Sequence, residues 1–287
     1  MLARYGRLVL ERFEERGIVI PPKNRLVRAI ELTEQVIERF ERGKPLRPDD
    51  TDLLAKSAEA LRTIWEAVFA MHAIAHRPYG SKALQNDLLA SFLSGGDVPV
   101  SGEDPLPRNT QFEVFTAARL IHSGLTVTRG EPDFRMQFFD ETVGIACKRL
   151  TSVKATKVYD RLREASNQLR KAKLRGFVSM SLDNWIEDLG DDRSPSAVGT
   201  MFDEQLAEAK HQIDRLSERP VLMGVLVCGN LIRWQFTEEL PHLEWSAPEK
   251  TIGWADDPSD EKRFNEFFEA AGGRLRQSLS AVGALLD

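Results

Sequence analysis

The N-terminal third of the chain has a helical pattern of apolar and polar positions. Apolar residues recur three or four positions apart over residues 1–95, as Ile30, Ile37 and Phe40 illustrate. Proline and glycine pairs interrupt the pattern and mark the ends of helices. The predicted helices are 8–16, 26–40, 49–76 and 81–93. The pattern therefore predicts an all-helical N-terminal domain over 1–95, followed by a linker over 96–107 that is rich in Gly, Pro and Asp.

From residue 108 onward the pattern alternates between helix and strand. One helix is predicted over 109–124, with Asn109 or Thr110 as its N-cap and Gly124 at its end. Short apolar runs separated by turn residues then predict three consecutive strands. These strands are 125–128, 133–139 and 143–148. A basic helix and a further strand over 177–182 follow, so the fold class is α/β (α+β), with 108–287 as a second domain.

The last hundred residues predict three further features. A continuous apolar run over 221–228 is typical of a strand that is buried on both faces. Gly229-Asn230 predicts a hairpin that pairs this strand with 231–236. Beyond residue 239 we expect irregular chain until a closing helix over about 259–285.

The strand 143–148 places unusual residues on one face. Successive side chains of a strand point to opposite sides, so Ile145 and Cys147 belong to an apolar face. Gly144, Ala146 and Lys148 form the other face, with two small residues beside one cation. We expect open space beside Lys148, which Asp133 on the neighbouring strand could share.

The order of these residues resembles the PD-(D/E)XK nuclease superfamily, the restriction-endonuclease-like proteins. A helix carries Glu113, Pro132-Asp133 begins a strand, the next strand ends in Lys148, and a following helix carries Gln168. The resemblance covers roughly residues 110–235. It implies a mixed central sheet flanked by helices. The family's strand motif has an acidic residue two positions before the lysine, where this sequence has Ala146.

The resemblance also implies a site and a reaction. The catalytic positions would be Asp133, Lys148, Glu113, Gln168 and the position that Ala146 occupies. A metal ion, Mg²⁺ with Mn²⁺ as the alternative, would be held by Asp133, Glu113 and the main-chain carbonyl of Cys147. Hard divalent cations select such oxygen ligands and activate water for phosphodiester hydrolysis. Lysine can orient that water and stabilise charge in the transition state.

The charge distribution points to a partner. The chain has a net charge of −5, but residues 148–175 contain ten lysines and arginines against two acids, a net charge of +8. Such a segment next to the predicted site could bind a phosphate backbone. The candidate nucleic-acid-binding residues are Arg149, Lys154, Lys157, Arg161 and Lys171. The alternative is a solvated helix face, because Lys and Arg also favour helices.

Two functions follow from these observations. The first is a metal-dependent nuclease that hydrolyses nucleic acid, DNA being favoured by the resemblance, with defence against foreign DNA as an expected role. Because of Ala146, whether natural or engineered, the chain itself is expected to be inactive or impaired. The alternative is an inactive nuclease-like module that binds nucleic acid or a protein partner.

Partners and location complete the expectations. The helical domain could bind a protein or a second copy of the chain. Cys147 and Cys228 lie in apolar runs and are expected to be buried core residues. No apolar run approaches the roughly 20 residues of a membrane span, so we expect a cytoplasmic protein without a membrane partner.

Overall fold

The computed structural model describes most of the chain and divides it into two compact units. The described residues are 2–76, 82–93, 106–150, 155–181, 195–214, 221–229, 231–237, 240–246, 249–253, 259 and 261–269. The first unit contains 1–118 and 230–246, and the second contains 119–229 and 247–287. Of the predicted linker, only residues 106 and 107 lie in the described ranges, and they belong to a helix.

Helices form the N-terminal part of the first unit, as the apolar spacing predicts. They are α1 (Leu2–Glu15), α2 (Arg25–Glu41), α3 (Thr51–His76) and α4 (Lys82–Leu93). Asn24 caps α2, because its side chain accepts a hydrogen bond from the Leu26 N–H at 2.8 Å. Large side chains from all four helices are fully or almost fully buried and form one core. These include Phe13, Ile30, Phe69 and Phe92.

The first unit also contains strands that the sequence pattern assigned elsewhere. Strand β6 (Leu231–Thr237) pairs antiparallel with β7 (Leu240–Ser246). The predicted hairpin across Gly229-Asn230 is therefore wrong, and so is the irregular chain predicted beyond 239. The Trp234 indole N–H donates to the Ser57 hydroxyl at 2.8 Å. This hydrogen bond and the stacking of Trp234 on Phe40 attach β6 to the helices of its unit.

Helix α5 (Leu106–His122) begins before the predicted N-cap, so the assignment of Asn109 or Thr110 to that position is wrong. Its C-terminal end agrees with the prediction. Gly124 has a positive φ of 88°, and the Leu125 N–H donates to the Leu120 carbonyl. Glycine tolerates this left-handed conformation, which turns the chain out of the helix.

The second unit is organised around a six-stranded mixed sheet of order β1-β2-β3-β4-β5-β8. The strands are β1 (Val127–Arg129), β2 (Phe134–Phe138), β3 (Glu141–Arg149), β4 (Gly176–Ser181), β5 (Leu222–Cys228) and β8 (Glu249–Gly253). Strands β3, β4 and β5 are parallel, and the pairs β1–β2, β2–β3 and β5–β8 are antiparallel. The predicted α/β class with a mixed sheet is confirmed.

Helices cover the parallel strands on both faces. Helix α6 (Ala155–Ala172) connects β3 to β4, and α7 (Pro195–Ile213) packs beside α6 and against β5 and β8. On the opposite face, Phe264 and Phe268 of helix α8 (261–269) contact Phe177. This covering explains why β4 and β5 are buried at every position, as parallel strands usually are.

Both cysteines, Cys147 and Cys228, are buried in the core, as predicted. Among the described residues, no helix is both long and apolar enough to cross a bilayer.

Candidate active site

Asp133 and the end of β3 lie together at one edge of the sheet. Phe134 pairs with Ile145, so Asp133, one position earlier, lies beside the last residues of β3. The backbone N–H of Cys147 donates a hydrogen bond to Asp133 Oδ2 at 2.7 Å. This bond fixes the carboxylate at the carboxyl end of β3. Ligands of α/β sheets commonly bind at such an edge.

The half-buried Asp133 carboxyl has a raised pKa. Burial is the largest cause, because it disfavours the charged form. The Cys147 N–H and the positive charge of Lys148 act in the opposite direction, and the negative charges of Glu131 and Glu164 reinforce the rise. Asp133 is therefore a carboxylate that a further positive charge would stabilise.

Lys148 is buried, with 8% of its side chain exposed, and it binds a carboxylate on α6. Its ammonium donates to Glu164 Oε1 at 3.0 Å, while Arg161 donates to Glu164 Oε2 at 2.8 Å. Partial burial favours the neutral acid, but these hydrogen bonds outweigh it and lower the pKa of Glu164. Lys148 thus binds Glu164 directly and acts on Asp133 through its charge.

The open space predicted beside Lys148 is absent from the described structure, because α6 covers this face of β3. Ala146 is 0% exposed. A Cβ added at Gly144 would lie 2.6 Å from Leu169 of α6 and 2.8 Å from Pro132. The small residues Gly144 and Ala146 therefore allow the helix to approach the strand. The expectation of open space beside Lys148 was wrong.

Gln168 lies on α6, four residues after Glu164. Residues four apart on a helix share a face, so its amide is on the side of Glu164. Its Oε1 atom is buried, and it accepts no hydrogen bond within the described part of the chain. Such an oxygen is available to a ligand or to water.

The other two predicted metal ligands, the Cys147 carbonyl and Glu113, belong to different parts of the structure. The N–H and C=O of one strand residue leave the strand on the same side, so the Cys147 carbonyl points to the side of Asp133. Glu113 is half-buried on α5, in the first compact unit, whereas Asp133, Lys148 and Gln168 belong to the second. Its role as a ligand stays a prediction.

Three of the predicted phosphate-binding residues lie on one edge of α6. We call this the site edge, and its members recur at spacings of four and three residues, which places them on one helix face. They are Lys157, Arg161, Glu164, Gln168 and Lys171. Lys157 and Lys171 are exposed, and Arg161 is partly exposed. The cations that are exposed therefore flank Glu164 and Gln168 along the helix.

The remaining two basic candidates are not part of this edge. Arg149 follows Lys148 on β3 and, by strand alternation, points to the opposite face of the sheet. Lys154 lies outside the described residues. That Lys154 binds nucleic acid therefore stays a prediction.

Glu164 is the residue of the site that the sequence analysis missed. Its charge was counted only as one of two acids in the basic segment. A signal was present, because Glu164 precedes Gln168 by four residues and must share its helix face. The contact with Lys148 depends on how α6 packs on β3, which the sequence pattern does not give.

Comparisons of the chain with protein-family models, with curated proteins and with solved structures gave no match. The resemblance to PD-(D/E)XK nucleases therefore stays an expectation from the order of the residues in the sequence. Within the described ranges, no group of three or more His, Cys, Asp or Glu side chains is arranged to hold a metal ion.

Proposed function

We propose that this protein is a metal-dependent nuclease with a PD-(D/E)XK-like core, acting on nucleic acid and preferentially on DNA. The observation that carries the proposal is the arrangement at the end of β3. Asp133 accepts a hydrogen bond from the Cys147 N–H at 2.7 Å, and the next residue, Lys148, is a buried cation bound to Glu164. The preference for DNA and a role in defence against foreign DNA rest on the resemblance alone.

The donor set at this edge suits a hard divalent cation. Asp133 and the Cys147 carbonyl supply oxygen atoms, and oxygen is the ligand atom that Mg²⁺ and Mn²⁺ prefer. Burial raises the pKa of Asp133, and a bound cation would favour its charged form again. When bound, such an ion would neutralise the negative charge of the phosphate oxygens and lower the pKa of a bound water.

The protein's own residues would then have the following roles. Asp133, fixed by the Cys147 N–H, would hold the cation. The Lys148 ammonium would hold the attacking water and stabilise the negative charge that develops in the transition state. Gln168 has a buried oxygen able to accept a hydrogen bond from that water. The cations of the site edge would bind the backbone phosphates.

Two observations favour the alternative, a nuclease-like module that binds nucleic acid or a protein without cutting. Ala146 leaves β3 without the motif acid, and the described residues include no three-residue metal cluster. In that case the basic site edge would retain its phosphate contacts while hydrolysis is lost.

A cleavage assay distinguishes these functions. The full chain is incubated with supercoiled and linear duplex DNA, single-stranded DNA and RNA, in Mg²⁺ or Mn²⁺, beside Asp133→Asn and Lys148→Met. Because β3 lacks the motif acid, we expect slow cleavage that requires the metal and is lost in both variants, which nearly keep the size of the side chain. A chain that binds these substrates in a salt-dependent manner but cuts none of them is the binding module.

A further inference from the structure

The contacts of α6 show how the helix lies over β3. Glu164 reaches Lys148, near the end of β3, and Leu169 reaches Gly144, four positions earlier. Helix α6 therefore runs antiparallel to β3. The turn between Glu164 and Leu169 therefore covers the part of the strand between Lys148 and Gly144, which contains Ala146.

Glu164 and Asp133 are joined through two consecutive residues of β3. The Lys148 ammonium binds Glu164 at 3.0 Å, and the N–H of Cys147, the residue before it, donates to Asp133 at 2.7 Å. Both carboxylates therefore lie next to the end of β3, where a divalent cation could bind them together.

The accessibility of Glu164 differs from that of Ala146. The Glu164 side chain is 46% exposed, whereas Ala146 is 0% exposed. A ligand that arrives from solvent can therefore reach the Glu164 carboxylate. The glutamate side chain has three rotatable bonds, so it can exchange its contact with Lys148 for another partner without movement of the helix.

We propose that Glu164 supplies the acidic metal ligand that Ala146 lacks, so that the divalent-cation site consists of Asp133, Glu164 and the Cys147 carbonyl. The proposal deepens the nuclease function and rests on it for its catalytic consequence. It changes the expectation for this chain, since the acid is present on α6 and absent from β3. The protein is then an active nuclease in its own right.

Metal binding to the full chain tests this assignment independently of cleavage. Mn²⁺ affinity is measured by electron paramagnetic resonance, and Mg²⁺ affinity by calorimetry, for the wild type and for Glu164→Gln. The matched control is Asp160→Asn, one helical turn earlier, where the carboxylate pairs with Arg163 at 3.9 Å. We expect Glu164→Gln to weaken Mn²⁺ binding at least tenfold and Asp160→Asn to leave it unchanged.

The variant Lys148→Met distinguishes the loss of a metal ligand from the loss of the lysine that acts in catalysis. Because Lys148 competes with a metal ion for Glu164, this variant should retain or strengthen Mn²⁺ binding while it loses cleavage. Glu164→Asp keeps the charge with a shorter side chain and should weaken Mn²⁺ binding in a folded protein. It therefore tests the proposal even if Glu164→Gln does not fold, as judged by circular dichroism.

The outcomes separate the two proposals. If the wild type cuts DNA and the Glu164 variants bind Mn²⁺ and cut as well as it does, Glu164 is not a ligand and the nuclease function stands. If Mn²⁺ binding depends on Glu164 but no nucleic acid is cut, the ligand assignment stands and the nuclease function fails. A wild type that binds neither Mn²⁺ nor Mg²⁺, with or without DNA, overturns the assignment of Glu164.

Discussion

Introducing the motif acid by Ala146→Glu is the most informative perturbation of the site. From the strand alternation alone, this change should leave folding nearly unchanged and create or restore Mg²⁺-dependent cleavage. The structure alters the first half of that expectation. Ala146 is 0% exposed and lies under α6, so the new side chain must enter a closed face.

The expected cost has two parts. Extra volume in a packed core costs about 1–3 kcal/mol, and a buried carboxylate without a full set of partners costs several kcal/mol more. Lys148, two residues away on the same face, offsets part of the second cost. We expect a net loss of about 3–5 kcal/mol in the free energy of unfolding, which lowers Tm by about 6–20 °C for a unit of this size.

A bound cation should return part of this stability. A ligand at a hundred times its Kd stabilises a folded protein by about 2.7 kcal/mol. The assay is thermal unfolding with and without Mg²⁺, beside cleavage of DNA. Ala146→Gln is the matched control, because it has nearly the same volume and no charge. Mg²⁺ should raise the Tm of Ala146→Glu more than that of Ala146→Gln.

Two results would refute this reasoning. An Ala146→Glu variant as stable as the wild type in the absence of Mg²⁺ would show that α6 does not close this face of β3. Equal Mg²⁺ stabilisation of the Glu and Gln variants would show that position 146 does not face the cation site. Cleavage by Ala146→Glu but not by the wild type would identify the present chain as a disarmed nuclease.

Three further predictions address the phosphate contacts, the pH dependence and the packing of the sheet. Reversing the exposed cations of the site edge to Glu should weaken DNA binding and reduce its salt dependence by roughly one unit of slope per lost phosphate contact, as filter binding over a salt series would show. The reversed residues are Lys157, Arg161 and Lys171, and the matched control, which should leave both unchanged, reverses Arg163 and Arg170 on another face of α6. Burial raises the pKa of Asp133 in the folded state above its ordinary value near 4. The folded protein is therefore destabilised as pH rises from that ordinary value through the raised pKa, because the buried carboxyl must then become charged. Asp133→Asn should therefore raise Tm at neutral pH, and the gain should shrink toward pH 4; a gain independent of pH would contradict the burial argument. Gly176→Ala should destabilise the protein by about 4 kcal/mol or more in chemical denaturation, since its Cβ would overlap the Gly144 carbonyl oxygen. Gly199→Ala, in helix α7 with nothing within 4 Å of the new Cβ, should instead be neutral or gain up to about 1 kcal/mol.

Much of the fold follows from local patterns in the sequence. Apolar residues at helical spacing correctly predicted α1 to α4, and the turn residues around Asp133 and Asp140 correctly separated β1, β2 and β3. Gly124 correctly marked the end of α5. These features depend on neighbours within a few positions of the chain, where periodicity and turn chemistry act directly.

Strand pairing between distant segments could not be obtained in this way. Gly229-Asn230 favours a hairpin locally, yet β5 pairs with β4 and β8, and β6 pairs with β7. A buried parallel strand such as β5 needs a neighbour on each side, and the choice depends on which edges the whole sheet leaves open. A local turn preference is too weak to decide it.

The candidate site divides in the same way. The alternation along β3 placed the cation Lys148 and the small residue Ala146 on one face from sequence alone, and it predicted that Asp133 could share the space beside them. The partner of Lys148 depended on the tertiary structure. The packing of α6 on β3 brings Glu164, sixteen residues away in the chain, within 3.0 Å of its ammonium. That distance depends on how closely the helix approaches Gly144 and Ala146, and only the folded core fixes it.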